Sequence, residues 1–120
     1  MRTDDRTTFI GKRAEEVAAD YLRARGFTVF GRNWRQRDCE IDVVAGKDRV
    51  IYFVEVKYRS NDVAGSGLEY IGRDKLRRMA YAARRWVHAN NWRGEYVLSA
   101  IEVSDESFAV TGFIDSIDAW

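Results

Sequence analysis

The segment EIDVVAGKDRVIYFVEVK, residues 40–57, decides the fold of this 120-residue chain. Two apolar runs rich in valine, isoleucine and aromatic residues flank a Gly-Lys-Asp turn signal, which is the pattern of two β-strands joined by a tight turn. We therefore predict strands at 40–45 and 49–57. The second run is apolar on both faces over much of its length, as in a strand in the middle of a sheet.

Four charged side chains interrupt these apolar runs: Glu40 and Asp42 in the first, Glu55 and Lys57 in the second. Side chains two residues apart on a strand share a face, so each pair points to one side of the sheet. The face that carries Glu55 and Lys57 is apolar in its first half and ionic at its end. Solvent-facing residues of an antiparallel sheet are the plain alternative, but the apolar half of this face favours a functional site.

The turn between the two strands decides how close Asp42 comes to Glu55. A turn centred on 47–48 sets Asp42 opposite Phe53 and diagonal to Glu55, about 7–8 Å away between Cα atoms. A wider loop, with the register slipped by two residues, pairs Asp42 directly with Glu55. A tighter turn at 46–47 separates the two carboxylates, and the sequence leaves all three registers open.

Carboxylates that meet on a sheet need a counter-charge. They repel each other and lose solvation, and both effects raise their pKa values. A divalent cation removes both penalties, and hard oxygen ligands suit Mg²⁺ or Mn²⁺. Lys57, two residues after the second carboxylate, reaches the same pocket and can hold a phosphate or help to deprotonate water. The set Asp…Glu-x-Lys therefore predicts metal-assisted hydrolysis of a phosphodiester.

The rest of the chain completes one α/β domain over residues 1–120. The further predicted elements are a helix at 11–25, strands at 27–31, 95–103 and 108–114, and a helix at 73–90. We expect residues 1–10 to be a flexible N-terminus and 60–72, rich in Gly, Ser, Asn and Asp, to be a mobile loop. The order αβββαβ predicts a central mixed sheet flanked by helices, with an antiparallel meander first and the last strand added after a crossover helix.

Composition and charge exclude several classes of protein. The net charge is +1, and no apolar run is long enough to cross a bilayer. The N-terminus has charges without an apolar core, so it does not read as a secretory signal. One cysteine excludes an internal disulfide, and one histidine leaves a zinc site without support. We therefore expect a cytoplasmic protein with no membrane partner and no nucleotide cofactor.

Basic residues cluster in two segments, RNWRQR at 32–37 and RDKLRRMAYAARR at 73–85. Such segments predict a local basic face despite the near-zero net charge. A solvated helix face is the alternative for the second segment. In the first segment, Trp34 either stacks on a base or packs against the core, and we favour packing.

Four stretches of the sequence, together with Lys75 at the start of the second helix, carry a family resemblance. The stretches are GKRAEEVAADYL (11–22), GFTVFGRNWR (26–35), CEIDVV (39–44) and FVEVKYR (53–59). In order and spacing the chain resembles the YraN-like family of small bacterial proteins, placed among the restriction-endonuclease-like nucleases of D…(D/E)-x-K type. It is also similar to the archaeal Holliday-junction resolvases of that superfamily. The chain departs from the family at Cys39, where glycine is usual, and at Glu95-Tyr96-Val97, where Arg-Phe-Asp is usual.

The resemblance implies a restriction-endonuclease-like αβββαβ core and a Mg²⁺- or Mn²⁺-dependent endonuclease that acts on DNA, including branched or damaged DNA. It implies that Asp42 and Glu55 bind metal and that Lys57 acts on the attacking water. Glu15 and Glu40 would complete the acidic cluster, although Glu15 also suits a first-turn glutamate that favours the helix dipole. We expect the DNA phosphates to be held by Arg32, Arg35, Arg59, Arg73 and Lys75.

Two other functions fit the same sequence. One is a non-catalytic nucleic-acid-binding module on this fold, in which loss of Asp42, Glu55 or Lys57 leaves the role intact. The other is a protein-interaction domain that docks a partner through residues 60–72. If the nuclease cleaves branched junctions it needs two sites, which predicts a two-fold homodimer.

Overall fold

The computed structural model describes residues 5–59, 71–104 and 107–117, with side chains described from Phe9 onward. This part of the chain contains α1 (Asp5–Ala24), β1 (Thr28–Gln36), β2 (Cys39–Lys47), β3 (Val50–Arg59), α2 (Arg73–Ala89), β4 (Glu95–Ser104) and β5 (Val110–Ile114). The predicted α/β fold is confirmed, and it is consistent with a restriction-endonuclease-like core. Neither helix is long and apolar enough, in its described residues, to cross a membrane.

The five strands form one mixed sheet in the order β1-β2-β3-β4-β5. β1, β2 and β3 make an antiparallel meander. β4 then pairs parallel to β3 after the chain crosses over through α2, and β5 returns antiparallel to β4. A parallel neighbour requires such a crossover, because a tight turn can only join antiparallel strands. The predicted meander and crossover are therefore confirmed, with β3 at the centre.

The core has two layers, one on each face of the sheet. The α1 side buries Ala14, Ala18, Leu22, Phe27, Val43, Val54 and Ile101. The α2 side buries Ile51, Phe53, Leu76, Met79, Ala83 and Leu98. Because helices cover both faces, β3 alternates between the two cores, which explains why its sequence is apolar on both sides.

The structure differs from the predicted boundaries at two places. α1 begins at Asp5 rather than near residue 11, so the second half of the segment expected to be flexible is helical. β1 runs to Gln36, five residues beyond its predicted end. The signal was hidden because β1 is an edge strand, where charged side chains face solvent and blur the apolar alternation. Residues 1–4 and 60–70, parts of the predicted flexible segments, lie outside the described residues.

A two-residue turn sets the register between β2 and β3. Lys47 pairs with Val50, which leaves Asp48 and Arg49 as the turn, at φ values of 52° and 68°. Two positive φ angles are what a type I′ hairpin turn requires. The ladder runs to Val43 opposite Val54, so the next residues on the two strands are Asp42 and Glu55. The register slipped by two is confirmed, while the wider loop expected with it is wrong.

Replacing Arg49 by glycine is expected to stabilise the protein. Arg49 has a left-handed backbone, which a residue with a Cβ adopts only at a cost, whereas glycine adopts it readily. After subtraction of the entropy that glycine adds to the unfolded chain, we expect a gain of about 0.5–1 kcal/mol in the free energy of unfolding, measured with urea. Arg49→Ala is the control, since it keeps the Cβ and should gain nothing. A loss of stability in Arg49→Gly would contradict this turn.

Candidate active site

Asp42 lies at the point where β2, which is still paired with β1, leaves its ladder with β3. Main-chain pairing with β3 ends at Val43. Beyond that point the Asp42 carboxylate takes over, since its Oδ2 accepts a hydrogen bond of 2.8 Å from the Val56 backbone N–H. The carboxylate is thereby fixed against β3, beside Glu55.

Negative charge is concentrated around Asp42. Burial is the main cause that raises the pKa of Asp42 from 3.8 to about 7, and the neighbouring charge of Glu55 adds to it. The Val56 N–H opposes the rise, because it stabilises the ionised carboxylate. Glu15 and Glu40 raise the pKa further by smaller amounts. The structure therefore brings the predicted carboxylates near one another, with Asp42 at the centre of their repulsion.

Glu55 is compensated by a lysine from α2. Its Oε2 lies 2.7 Å from the Lys75 Nζ, and the Glu55 side chain keeps 23% of its surface exposed. The charge of this carboxylate is thus balanced at a position open to solvent. Lys57, two residues further along β3, is exposed. Along the strand it falls on the same face as Glu55, as expected for the E-x-K spacing.

Glu15 and Glu40 approach Asp42 from α1 and β2. Glu15 is half-buried, and burial raises its pKa, an effect that nearby Arg32 opposes. The next residue, Glu16, turns to solvent and pairs with Arg13, so Glu15 is the more buried of the two glutamates. Glu40 is exposed, with its Oε1 3.4 Å from the Arg35 Nε.

The donor set suits a cation held by two carboxylates. No three His, Cys, Asp or Glu side chains among the residues that the structure describes converge enough to hold an ion, so Glu15 and Glu40 do not complete a cage in this conformation. Between Asp42 and Glu55 lies a small hollow of about 10 Å³, bordered also by Glu40. This volume admits about one water molecule. Mg²⁺ is commonly bound by one or two carboxylates with water or phosphate oxygens, and the pair fits that pattern.

The carboxylates open onto a groove between the β1–β2 turn and α2. Its volume is about 530 Å³, and its charged lining comprises Arg35, Arg37, Asp38, Glu40, Glu55, Lys75, Arg77 and Arg78. A second groove of about 480 Å³ shares Glu55, Lys75 and Arg78 with the first and reaches Lys57. The two grooves therefore adjoin, and their lining combines Asp38, Glu40 and Glu55 with the lysines and arginines. We name this surface the basic groove.

A hydrogen-bond network ties the β1–β2 turn to α2 across this groove. The Tyr81 hydroxyl donates to Asp38 at 2.6 Å, and Arg85 donates to the Tyr81 oxygen and to the Gln36 side chain, both at 2.7 Å. The two walls of the basic groove are thus held at a fixed separation. Sequence reasoning missed this network because its contacts between the β1–β2 region and α2 join residues more than forty positions apart, which no local pattern links.

The predicted phosphate-binding residues are distributed unevenly around the site. Arg35 and Lys75 line the basic groove, whereas Arg32 lies close enough to Glu15 to lower its pKa. Arg73 is exposed at the first residue of α2, outside the lining of the groove. Arg59 is only partly exposed. It keeps 28% of its side chain exposed and lies 3.8 Å from buried Glu102 on β4.

Three arginines of the basic groove were not singled out from the sequence. They are Arg37 in the β1–β2 turn and Arg77 and Arg78 on α2. Arg78 follows Lys75 by one helical turn, a spacing that puts both on one face and that could have indicated the groove. Arg37 had no such signal, because its position depends on how the turn meets α2.

The fold and the paired carboxylates define an α/β protein with a restriction-endonuclease-like core and an acidic site on its central strands. The chain belongs to the family described as uncharacterised protein family UPF0102, whose profile matches residues 14–110. This is the YraN-like family that the sequence resembles.

Relatives in this family come from distant bacteria. A UPF0102 protein of Leifsonia xyli is 42% identical over 77 residues, 64% of this chain and 65% of the relative. One of Mycolicibacterium gilvum is 41% identical over 98 residues, 80% of this chain and 79% of the relative. One of Methylococcus capsulatus is 37% identical over 94 residues, 78% and 76% of the two chains. These names give a family without an activity, so the function has to be argued from the site.

The raised pKa of Asp42 predicts a stability that depends on pH in a defined direction. The folded protein holds this proton up to about pH 7, while the unfolded chain releases it near 3.8. The contribution of Asp42 to the free energy of unfolding therefore becomes increasingly unfavourable from about pH 4 to pH 7 and is constant above that. Asp42→Asn cannot ionise and can still accept the Val56 hydrogen bond. In EDTA we expect its advantage over the wild type to grow with pH, by up to about 4 kcal/mol at pH 8.

Urea unfolding at pH 4.5 and pH 8 measures this difference. Asp20→Asn is the matched control, since Asp20 is exposed on α1 and pairs only with Arg23 at the surface. Its difference from the wild type should be small at both pH values. A gap between Asp42→Asn and the wild type that stays constant with pH would contradict the crowding of charge at Asp42.

Proposed function

We propose that the protein is a metal-dependent nuclease that hydrolyses phosphodiester bonds of DNA. The observation that carries the proposal is the placement of Asp42 beside Glu55, with its carboxylate held by the Val56 N–H and its pKa raised to about 7. A fold gains nothing in stability from such crowding, so a ligand that relieves it is the economical explanation. A divalent cation fits both the charge and the oxygen donors.

The side chains at the site have different roles in the proposed reaction. Asp42 and Glu55 would hold Mg²⁺ or Mn²⁺, which when bound supplies Lewis acidity toward a phosphate oxygen. Lys57 is exposed beside them and can donate to the attacking water or to a phosphate oxygen. Lys75 now pairs with Glu55, and it is free to turn toward a phosphate once another cation neutralises that carboxylate. Arg78 lies next to Lys75 in the groove and can stabilise the negative charge that develops on the phosphate during cleavage.

The basic groove supports DNA as the substrate. Its lining includes Arg35, Arg37, Arg77 and Arg78 although the net charge of the whole chain is only +1. A local field of this kind attracts a polyanion to one surface without making the protein basic overall. Cleavage of both strands of a branched DNA would need two such sites, for which a two-fold homodimer is the simplest arrangement.

A cleavage assay tests the nuclease directly. Linear, flapped and four-way DNAs are incubated with Mg²⁺, Mn²⁺ or EDTA, and the wild type is compared with Glu55→Gln. We expect metal-dependent cleavage that falls about 100-fold or more in the variant, because a charged metal ligand becomes neutral while the shape is kept. Glu16→Gln is the control, since Glu16 is exposed on α1 and pairs with Arg13. Equal, metal-independent traces for wild type and Glu55→Gln would exclude the enzyme.

One observation favours a second candidate, a non-catalytic nucleic-acid-binding module. Lys75 already neutralises Glu55 at 2.7 Å, so the site can persist without a metal. In that case Asp42→Asn and Glu55→Gln retain full DNA binding, and no DNA of the panel is cleaved under any metal condition. Retained binding with lost cleavage, by contrast, identifies the enzyme.

Salt dependence of binding tests the role of the arginines. Each phosphate contact that is removed should lower the magnitude of the slope of log K against log[salt] by about 1. We expect this for Arg78→Ala and for Arg77→Ala, measured by fluorescence anisotropy with the Glu55→Gln background in EDTA. Arg23→Ala is the control, because Arg23 is exposed on α1 and outside the lining of the groove. An unchanged slope in both groove variants would remove the basic groove as the DNA surface.

A further inference from the structure

A third hollow lies along β1, next to the basic groove but different in chemistry. Its volume is about 740 Å³. Its aromatic and basic lining consists of Phe30, Arg32, Trp34, Arg35, Trp86 and Trp92. Among the residues that the structure describes, no Asp or Glu lines it. We name it the aromatic hollow, and it combines the exposed ring of Phe30 and three partly buried tryptophans with the positive charge of two arginines.

Phe30 is held open to solvent by the backbone beneath it. Its side chain is 58% exposed, and together with Phe9 it is the exposed large hydrophobic residue of the described chain. Its ring lies over Gly46, where an added Cβ would come within 2.6 Å of the Phe30 Cε2. The missing side chain at Gly46 therefore lets the ring lie close against the sheet. An aromatic face is presented outward rather than folded into the core.

The aromatic hollow continues into the basic groove. Arg35 on β1 lines both. It pairs with Glu40 on β2, and Glu40 borders the small hollow that Asp42 and Glu55 also line. The three surfaces thus follow one another: rings and arginines along β1, the carboxylates, then Lys57 at the far end. A chain-like ligand that reaches Glu55 past Arg35 would pass next to the aromatic hollow.

The aromatic rings and arginines of the aromatic hollow suit some ligands better than others. In duplex DNA the bases are stacked inside the helix, so a duplex offers phosphates but no free ring faces. An unpaired strand offers both, because its bases can stack on aromatic side chains while arginines hold its phosphates. A second copy of this chain offers no phosphates to Arg32 and Arg35, so a polyanion matches the positive charge of this lining better.

We propose that the aromatic hollow binds an unpaired DNA strand that leaves the site of cleavage, with bases on Phe30 and the tryptophans and phosphates on Arg32 and Arg35. This rests on the proposed nuclease function and narrows its substrate class. The substrate is DNA in which a single-stranded segment adjoins the scissile phosphate, as in a flap or an open branch. A fully paired linear duplex fills the basic groove but leaves the aromatic hollow empty.

Equilibrium binding tests the proposal with the Glu55→Gln protein in EDTA, so that no cleavage intervenes. Phe30→Ala is added to this background, and fluorescein-labelled DNAs are compared: a linear duplex and the same duplex with an oligo(dT) flap. We expect Phe30→Ala to weaken flap binding about tenfold and to leave duplex binding unchanged. Phe9→Ala is the matched control, a second exposed phenylalanine that lies outside the hollow.

Tryptophan fluorescence gives an independent readout, because stacked bases quench indole emission. Trp34, Trp86 and Trp92 line the hollow, so free oligo(dT) should quench the emission, and Phe30→Ala should require about tenfold more of it. Equal losses of flap and duplex binding, or no loss, would overturn the proposal. Tighter binding of oligo(rU) than of oligo(dU) would also overturn it in favour of RNA.

Three further outcomes distinguish this proposal from a self-interface and from the nuclease proposal on which it rests. If sedimentation shows that Phe30→Ala converts a dimer to a monomer, the hollow is a self-interface and the proposal fails. If flap binding depends on Phe30 but the wild type cleaves nothing with Mg²⁺ or Mn²⁺, the nuclease fails while the strand-binding surface stands. Cleavage without any preference for flapped over linear DNA, with Phe30→Ala equal to wild type, leaves the nuclease and removes the unpaired strand.

Discussion

The hydrogen bond from the Val56 N–H to the Asp42 carboxylate is the interaction on which the site depends. It exists because the Asp48-Arg49 turn sets β2 against β3 in one register. A turn one residue earlier would set Asp42 opposite Phe53 and leave Glu55 diagonal. The register is kept by burial on both faces, since any slip by a single residue would carry Val43 and its neighbours to the wrong side of the sheet. The apolar core thus determines the distance between two charges.

The proximity of Asp42 and Glu55 destabilises the fold, and their two negative charges are compensated to different extents. Glu55 has the ammonium of Lys75 at 2.7 Å, whereas Asp42 has a single backbone donor and three carboxylates that raise its pKa. The neighbouring strands are buried by helices on both faces of the sheet, and their stability allows the uncompensated charge at Asp42 to persist. Strain of this kind tends to lie where a protein binds a ligand, because residues selected for stability alone would relieve it. The imbalance at Asp42 is therefore the strongest physical argument for a bound cation.

The sequence predicts the architecture better than it predicts the edges of the site. The apolar runs of β2 and β3 and the two helical stripes were sufficient for the fold, because burial enforces those patterns. The register was open because Asp48-Arg49 lacks the glycine or asparagine that usually marks such a turn. The end of β1 was missed because its exposed arginines follow no apolar period. The Tyr81–Asp38 contact, like the pairing of Arg59 with Glu102, depends on the tertiary fold and has no local sequence signal.

The position of β1 at the edge of the sheet connects the aromatic hollow with the basic groove. An edge strand needs charges that prevent pairing with another sheet, and Arg32 and Arg35 serve that purpose whatever else they bind. A DNA strand bound as proposed would satisfy the same two arginines without extending the sheet, because phosphates accept from side chains rather than from the strand backbone. The carboxylates beside them would repel that strand until a cation neutralised them. Metal and DNA binding should therefore favour each other, and by linkage the coupling free energy is the same whichever binds first.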